Sequence, residues 1–262
     1  MPANQQNTQV EATSYLLVMT ATVTPAPQAG VRRADPVQRL EDYQRTLRFW
    51  LHYPHRVAAN ILLLENSGAD LNSLRRIVET ENSLEKSVEI LSIPGNRIPD
   101  GLNYGYTEME LLDEGLTRSK LRQSTTHMVK TTGRLTFPAL GRAIDLVRGP
   151  FELMVDCRKL GFPRRGYDAS VQLFVCSHEF YDEHLRHARR FLNTTDVRLL
   201  EHLIYRQVIG SKGQPGIHLR FPCNIDPVGY SGFKAQSYRT TGQRLDQAVR
   251  GILRRVAPWY WY

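Results

Sequence analysis

Five residues suited to binding an anion occur together at positions 130–134, in the order Lys-Thr-Thr-Gly-Arg. We predict that a short strand at residues 127–129 runs directly into this group, which then forms a turn. Lysine supplies a point charge, arginine a planar fork of donors, and Gly133 allows close backbone approach or positive φ. The spacing differs from the G-x-x-x-x-G-K-[ST] loop of P-loop NTPases. The group is therefore either a phosphate-binding turn or a solvated basic turn.

Other charged side chains suit a transfer reaction that releases a phosphate or diphosphate. Cations must take up the charge on such a leaving group, and a carboxylate or histidine must deprotonate the acceptor hydroxyl. One of the acids, Glu108, lies in the first turn of a predicted helix, where it could simply complement the helix dipole. The candidate cations are Lys130, Arg134 and Arg158. The candidate bases are Glu65, Glu108, Asp156, Glu179 and Glu201, with His178 and His202 as histidine alternatives.

The sequence gives no pattern for a bound metal. No Asp-x-Asp pair follows a predicted strand, the position from which a nucleotide-bound Mg²⁺ or Mn²⁺ would be held. The three cysteines, Cys157, Cys176 and Cys223, are too scattered for a zinc site or a disulfide framework. We therefore expect metal-independent chemistry without a cofactor, in which Lys130 and Arg134 take the place of the metal.

Buried strands and amphipathic helices alternate along the first third of the chain. This β-α-β-α-β order predicts an α/β domain with a mostly parallel, Rossmann-type sheet and right-handed crossovers. The predicted strands are residues 15–23, 60–64, 88–92, 127–129, 151–155 and 171–176. The predicted helices are residues 36–53, 70–79, 107–118, 140–147, 179–191, 196–208 and 242–256.

The sheet is expected to position the candidate residues, because ligands of parallel sheets lie beyond the carboxyl ends of the strands. Residues 20–22, 65–68 and 93–96 would then share one rim. The residues that follow the later strands, including Asp156, Arg158 and Glu179, would join it. A loop rich in turn-forming residues, 221–232, is predicted to line the same site.

Length and composition favour one domain. The chain has 262 residues, 41% of them hydrophobic, and no apolar run of about 18 residues that would span a membrane. We expect a disordered segment at residues 1–13, the α/β domain at 14–240, and a basic amphipathic helix with an aromatic tail at 241–262. Residues 1–13 contain Glu11 but neither Lys nor Arg, unlike a secretory signal, so a reducing cytoplasm is the expected setting.

The net charge of +8 calls for an anionic partner. The basic residues are dispersed and no reading helix is recognisable, so nucleic acid is not the expected partner. Anionic small molecules or an anionic membrane surface fit equally well. The C-terminal helix, with arginines opposite an apolar side and Trp/Tyr residues at its end, either lies on the inner face of the membrane or docks on the domain.

Five short motifs occur in order: T-A-T at 20–22, E-N-S-G at 65–68, Y-G-Y-T-E at 104–108, K-T-T-G-R at 130–134 and G-Y-S-G at 229–232. The series resembles that of glycosyltransferase-like proteins of bacterial capsule and lipopolysaccharide gene clusters, which show T-A-T, E-N-S-G, G-x-G-E, K-x-T-G-R-Y and G-x-S-G. The resemblance covers roughly residues 15–240, and Leu135 stands where the family usually has tyrosine. It implies a GT-A-like fold and a nucleotide-sugar-dependent transferase.

The motifs and the predicted rim together yield a functional hypothesis. It is a glycosyltransferase that uses a nucleotide-sugar donor and a saccharide or lipid-linked acceptor, with Lys130, Arg134, Glu108, Asp156 and Glu201 as its catalytic residues. The alternatives are a non-catalytic nucleotide or polyanion-binding module and, less favoured, RNA binding. The predicted nucleotide-sugar-binding residues are Thr20, Ala21, Thr22, Glu65, Asn66, Ser67, Gly68, Tyr106, Thr132, Gly133, Arg158, Ser231 and Gly232.

Overall fold

The computed structural model describes residues 13–159, 167–193, 199–232 and 235–238, together with Gly242, Val249, Gly251, Ile252 and Val256. Three predictions lie outside the described residues. They are the disorder of segment 1–13, except for Thr13, the helix start at Asp196, and nearly all of the C-terminal helix and aromatic tail.

Seven strands form one sheet. They are β1 (Tyr15–Ala21), β2 (Asn60–Glu65), β3 (Ser87–Ser92), β4 (His127–Thr132), β6 (Leu153–Lys159), β7 (Tyr167–Ser177) and β8 (Ile217–His218). Two short strands, β5 (Leu135–Thr136) and β9 (Val228–Gly229), pair separately and antiparallel. The order in the large sheet is β3-β2-β1-β4-β7-β6-β8, and only β7 runs antiparallel to its neighbours.

Helices cover both faces of the sheet, as the alternating sequence pattern predicts. One apolar core joins Leu17, Leu47 and Leu140, and the other joins Leu16, Met109 and Leu203. The first lies under α1 (Pro36–Leu51), α2 (Asn72–Glu81) and α4 (Leu140–Asp145); the second lies under α3 (Tyr104–Arg118), α5 (His178–Phe180) and α6 (Leu200–Ile209). The predicted mostly parallel α/β domain is thereby confirmed.

The strand order reverses beside β1. The chain first moves from β1 to β2 and β3 on one side, and then returns to place β4 on the other side of β1. At such a reversal the two connections leave in opposite directions, which opens a crevice at the carboxyl ends of the two strands. Thr20 of β1 pairs with Thr132 of β4 at this edge.

Two predicted strands are longer in the structure, and this corrects the positions of four site residues. β4 continues through Thr132, so the site residues Lys130 and Thr132 belong to a strand instead of a turn. Residue Lys130 is fully buried, because its neighbours in the sheet, Val18 and Phe174, are themselves buried. β6 likewise continues through Lys159, so Asp156 and Arg158 are strand residues and do not form a loop.

The prediction that residues 177–181 share the rim is wrong. β7 is antiparallel to β4, and Ser177 at its carboxyl end pairs with His127 at the amino end of β4. His178 and Glu179 therefore lie at the edge opposite Thr20. The predicted helix at 179–191 is also interrupted: α5 ends at Phe180, a π-helical turn follows to Leu185, and His187 adopts φ 59°. In the described part of the chain, no helix is long and apolar enough to cross a membrane.

Candidate active site

A cavity of about 490 Å³ opens at the carboxyl ends of β1 and β4, where the strand order reverses. The structure brings nine of the predicted site residues to its wall. They are Thr20, Thr22, Asn66, Glu108, Thr132, Arg134, Glu201, Ser231 and Gly232. The other nine predicted site residues do not line it: Ala21, Glu65, Ser67, Gly68, Tyr106, Lys130, Gly133, Asp156 and Arg158.

The Lys130 side chain makes its contacts within the protein. Its Nζ donates to the Glu108 Oε1 at 2.6 Å and also to the carbonyl oxygen of Val171. The Thr20 hydroxyl donates to the same Glu108 oxygen at 3.0 Å. Burying an ammonium group is costly unless it is paired and hydrogen-bonded, and these contacts meet that need. The ammonium is therefore not available to a ligand in this arrangement, whereas Glu108 reaches the cavity wall.

Glu65 shapes the loop that follows β2. Its carboxylate accepts hydrogen bonds from the backbone N–H groups of Val23 at 3.1 Å, Ser67 at 2.9 Å and Gly68 at 3.0 Å, and it also accepts one from the Ser67 hydroxyl. The side chain is fully buried beneath the cavity. This pattern positions Asn66, whose side-chain oxygen accepts a 2.6 Å hydrogen bond from Thr22 at the cavity wall.

Gly133 brings two strands together. Its N–H donates to the Thr20 carbonyl oxygen at 2.9 Å, and a Cβ at this position would lie only 2.6 Å from that oxygen. The glycine is therefore needed for close approach and not for positive φ, since its φ is outside the left-handed region. It sets the start of the turn that carries Arg134 to the cavity.

Three further predicted residues, Tyr106, Asp156 and Arg158, make contacts with other residues of the domain. Tyr106 packs against Arg189, whose Cζ lies 5.7 Å from the ring centre. Asp156 accepts a 2.9 Å hydrogen bond from the Phe221 N–H, and Arg158 pairs with Asp168 at 2.8 Å. β6, which carries Asp156 and Arg158, is separated from β4 by β7, and neither side chain lines the cavity.

Among the described residues, Arg134 and Arg39 are the two cationic side chains on the cavity wall. Arg134 donates from Nη1 to the Tyr230 carbonyl oxygen at 2.8 Å. Arg39 is 5% exposed, and its partners among the described residues are neutral oxygens of Thr22, Arg33 and Tyr43, with Tyr43 Oη at 3.0 Å. Burial, with the nearby Arg134 charge, lowers the pKa of Arg39. Within the described residues neither guanidinium has a carboxylate within 4 Å, so two positive charges face the cavity unpaired.

Arg39 was missed in the sequence, although a signal was present. It lies four residues before Tyr43, on the face of α1 that packs on the sheet. An arginine on the buried face of an amphipathic helix is unusual and requires a partner. Other lining residues that the list of predicted site residues did not include are Tyr43, Asn96, Tyr104, Gln172, Tyr230 and Tyr238.

Glu201, at the start of α6, lines the cavity without an ion pair within 4 Å in the described part of the chain. Burial raises its pKa, the nearby Glu108 and Asp168 charges raise it further, and Arg158 opposes the shift. Tyr104 lies close by, and burial together with the charges of Glu201 and Glu108 raises its pKa as well. A carboxyl group with a raised pKa in a cavity is suited to proton transfer near neutral pH.

Glu108 and Glu201 are the two carboxylates on the described cavity wall, so they are the residues from which a divalent ion would be held. Among the described residues, no three His, Cys, Asp or Glu side chains are grouped in a way that would hold a metal ion. Metal independence stays a prediction, which the chelation measurement below tests.

No protein-family model matches the sequence, and no curated protein matches it significantly. Solved structures show a similarity in fold. A cytidylyltransferase from Leptospira borgpetersenii serovar Hardjo-bovis is 13% identical with a TM-score of 0.44, over 89% of this chain and 84% of that one.

Two glycosyltransferase structures are similar at the same level. Mannosyltransferase PcManGT from Pyrobaculum calidifontis, solved with GDP-Man and Mn²⁺, is 12% identical with a TM-score of 0.49, over 94% of this chain and 63% of that one. The glycosyltransferase GlyE of Streptococcus pneumoniae TIGR4 is 8% identical with a TM-score of 0.45, over 79% and 45%. The chain thus spans less than two thirds of both. Similarity at this level carries no inference about activity.

Proposed function

We propose that the protein is a glycosyltransferase that moves a sugar from a nucleotide-sugar donor to a saccharide or lipid-linked acceptor. One observation supports the proposal above all. Within the described residues, Arg39 and Arg134 line the cavity without a carboxylate partner, and Glu201 lines it without a cation partner. A ligand that combines an anionic group with a hydroxyl group would satisfy both, because the anionic group would bind the two arginines and the hydroxyl group would bind Glu201.

The two arginines act on the leaving group. As the bond to the sugar breaks, negative charge develops on the diphosphate, and cations already in place stabilise that charge. Arg39 takes the role that the sequence motif had suggested for Lys130, because Lys130 is paired with Glu108. Thr22, Asn66 and Ser231 hold the nucleoside in this proposal.

Glu201 acts as the general base. The acceptor hydroxyl oxygen forms a bond to the anomeric carbon, while the bond from that carbon to the diphosphate oxygen breaks and its electron pair stays on the diphosphate. The hydroxyl proton passes to the Glu201 carboxylate. Glu108 is held by Lys130 and Thr20, and it orients the sugar. The shared motifs favour an acceptor of polysaccharide biosynthesis.

The test is turnover of a panel of UDP-, GDP- and CMP-sugars, with and without EDTA. The parent should release free nucleotide at a rate that EDTA leaves unchanged, whereas Glu201→Gln and Arg134→Ala should each be slowed at least about 100-fold. Matched controls are Glu179→Gln at the opposite edge of the sheet and Arg75→Ala on the exposed side of α2. If both cavity variants turn over donor as fast as the parent, the assigned roles are wrong.

A non-catalytic nucleotide or polyanion-binding module is the second candidate. The ion pair of Glu108 with Lys130 favours this candidate, because it leaves few groups for catalysis. In the described chain, Glu201 is then the single cavity carboxylate that is free to act as a base. Calorimetry with CMP, UDP and GDP separates the two proposals. Nucleotide binding without turnover of any sugar donor supports the module.

A further inference from the structure

One edge of the Arg134 guanidinium is left without a partner. Nη1 donates to the Tyr230 carbonyl oxygen at 2.8 Å, but Nε is buried and makes no hydrogen bond. Nη2 lies on the same edge as Nε and makes none to the described residues. Buried polar groups rarely lack a partner in a native protein, so each such group calls for an explanation. A ligand at the cavity wall would supply it.

Gly232 provides the space in which this guanidinium lies. A Cβ at position 232 would be 2.5 Å from Nη2, 3.1 Å from Cζ and 3.2 Å from Nη1 of Arg134. The absence of a side chain therefore lets the loop lie flat against the guanidinium. A larger residue at position 232 would lie too close to Nη2, so the guanidinium would have to shift from this position.

Residues of α1 and of the segment before it hold this loop in place. The Gly232 carbonyl oxygen accepts a 3.1 Å hydrogen bond from the Arg33 N–H. The Tyr230 ring lies under the Arg33 guanidinium, 4.4 Å from ring centre to Cζ, and 5.7 Å from that of Arg45. The fully buried Asp42 carboxylate binds both arginines. These contacts fix the position of Gly232 relative to Arg134 before a ligand arrives.

We propose that Gly232 is a positioning residue that keeps the Nε–Nη2 edge of Arg134 directed at the cavity, where this edge binds two oxygens of a diphosphate. A planar guanidinium edge matches two anionic oxygens in a way that an ammonium group does not. The inference rests on the proposed function and sharpens it. The bound group is a diphosphate, the Nε–Nη2 edge of Arg134 binds it, and Gly232 sets the geometry.

The experiment measures the Kd of inorganic pyrophosphate by calorimetry for the parent, Gly232→Ala, Arg134→Lys and the double variant. Each single substitution should weaken binding about 10- to 100-fold, the usual effect of losing a hydrogen bond to a charged group. The double variant should bind as Arg134→Lys does, within about 2-fold, since Gly232 acts through the guanidinium. Gly210→Ala is the matched control, because a Cβ there meets nothing within 4 Å.

Two results would overturn the inference. One is Gly232→Ala binding pyrophosphate as tightly as the parent. The other is a double variant that shows the product of the two single effects, which would mean that Gly232 acts independently of Arg134. If Gly232→Ala fails to fold, Arg134→Lys decides alone: it keeps the charge and loses the planar edge, so unchanged affinity refutes bidentate binding.

Donor turnover by the parent separates this inference from the proposed function. Pyrophosphate binding that follows the expected pattern, in a protein that turns over no sugar donor, supports the positioning role and contradicts the transferase. Turnover by a parent whose Gly232→Ala variant binds pyrophosphate unchanged supports the transferase and contradicts the positioning role.

Discussion

Two groups of charges meet at the carboxyl ends of β1 and β4, and they are treated in opposite ways. Lys130, which does not line the cavity, forms an ion pair with Glu108, and hydrogen bonds with the Thr20 hydroxyl and the Val171 carbonyl complete this group. On the cavity wall, within the described residues, Arg134 and Glu201 have no partner of opposite charge within 4 Å. The charges of the first group are neutralised within the protein, whereas those of the second are left for a ligand.

Structural and functional charges can be separated by their partners. A buried ion pair has no net charge left to offer a charged substrate. A desolvated charge without a partner costs stability, and proteins keep such charges mainly where they bind or react. Substitutions in the first group should therefore reduce stability, and substitutions in the second should reduce activity or ligand binding.

The largest effect is expected for Lys130→Met. The substitution keeps the volume of the side chain and leaves Glu108 unpaired, so the free energy of unfolding should fall by about 3–5 kcal/mol. Urea denaturation measures it. The double variant Lys130→Met with Glu108→Gln should recover part of the loss, because no uncompensated charge then remains. A loss below about 1 kcal/mol would contradict the stabilising role of this ion pair.

Glu201→Gln should act on activity instead. Loss of a general base should lower kcat about 10²- to 10⁴-fold. In the parent, the acidic limb of the pH profile should lie above the ordinary carboxyl range, because the pKa of Glu201 is raised and the base works only when deprotonated. A limb at the ordinary carboxyl pKa would argue for a different base.

The same raised pKa has a consequence for stability. When the pKa of a carboxyl group is higher in the folded than in the unfolded state, the protein loses stability as the pH rises from the unfolded-state pKa through the folded-state pKa. Glutamine has no such cost. Above this pH window, Glu201→Gln should therefore be at least as stable as the parent in thermal unfolding, and a clearly lower Tm would show that the carboxylate is structural.

Arg39→Lys should fall between the two groups. Arg39 donates to protein oxygens of Thr22, Arg33 and Tyr43, and it also faces the cavity. We expect a loss of about 1–2 kcal/mol in the free energy of unfolding together with about 10-fold weaker pyrophosphate binding. Denaturation and calorimetry on the same samples measure both. Loss of stability with unchanged affinity would place Arg39 wholly in the structural group.

The smallest effect on the α/β domain itself is expected for removal of the predicted C-terminal helix, which carries Arg244, Arg250, Arg254 and Arg255. If the C-terminal helix lies on anionic lipid, a chain that ends at Gly242 should sediment less with phosphatidylserine-containing liposomes, by about 1 kcal/mol per arginine lost from the surface. Raising the salt concentration should reduce binding of the full chain in the same way. Donor turnover in solution should not change. Equal sedimentation of the two chains removes the membrane hypothesis.

Periodicity and motif order were sufficient to predict the sheet and the edge of it at which Thr20, Asn66 and Arg134 meet. Hydrophobic alternation reports burial along each element, and parallel crossovers bring successive carboxyl ends to one side. The direction of β7 was not predictable in this way. An apolar strand has the same pattern whichever way it runs, and so Glu179 was assigned to the wrong edge.

The partners of the charged side chains could be identified only from the three-dimensional structure. Lys130 could be recognised as a residue of interest from its motif, but its contact with Glu108 joins a strand to a helix 22 residues away in the chain. Arg39 reaches the same cavity from α1, and Glu201 reaches it from α6. The order of residues thus specifies which chemical groups are present and which elements carry them. Whether a charge is neutralised or left for a ligand depends on how distant elements pack, because Coulomb energy and desolvation depend on distances in space.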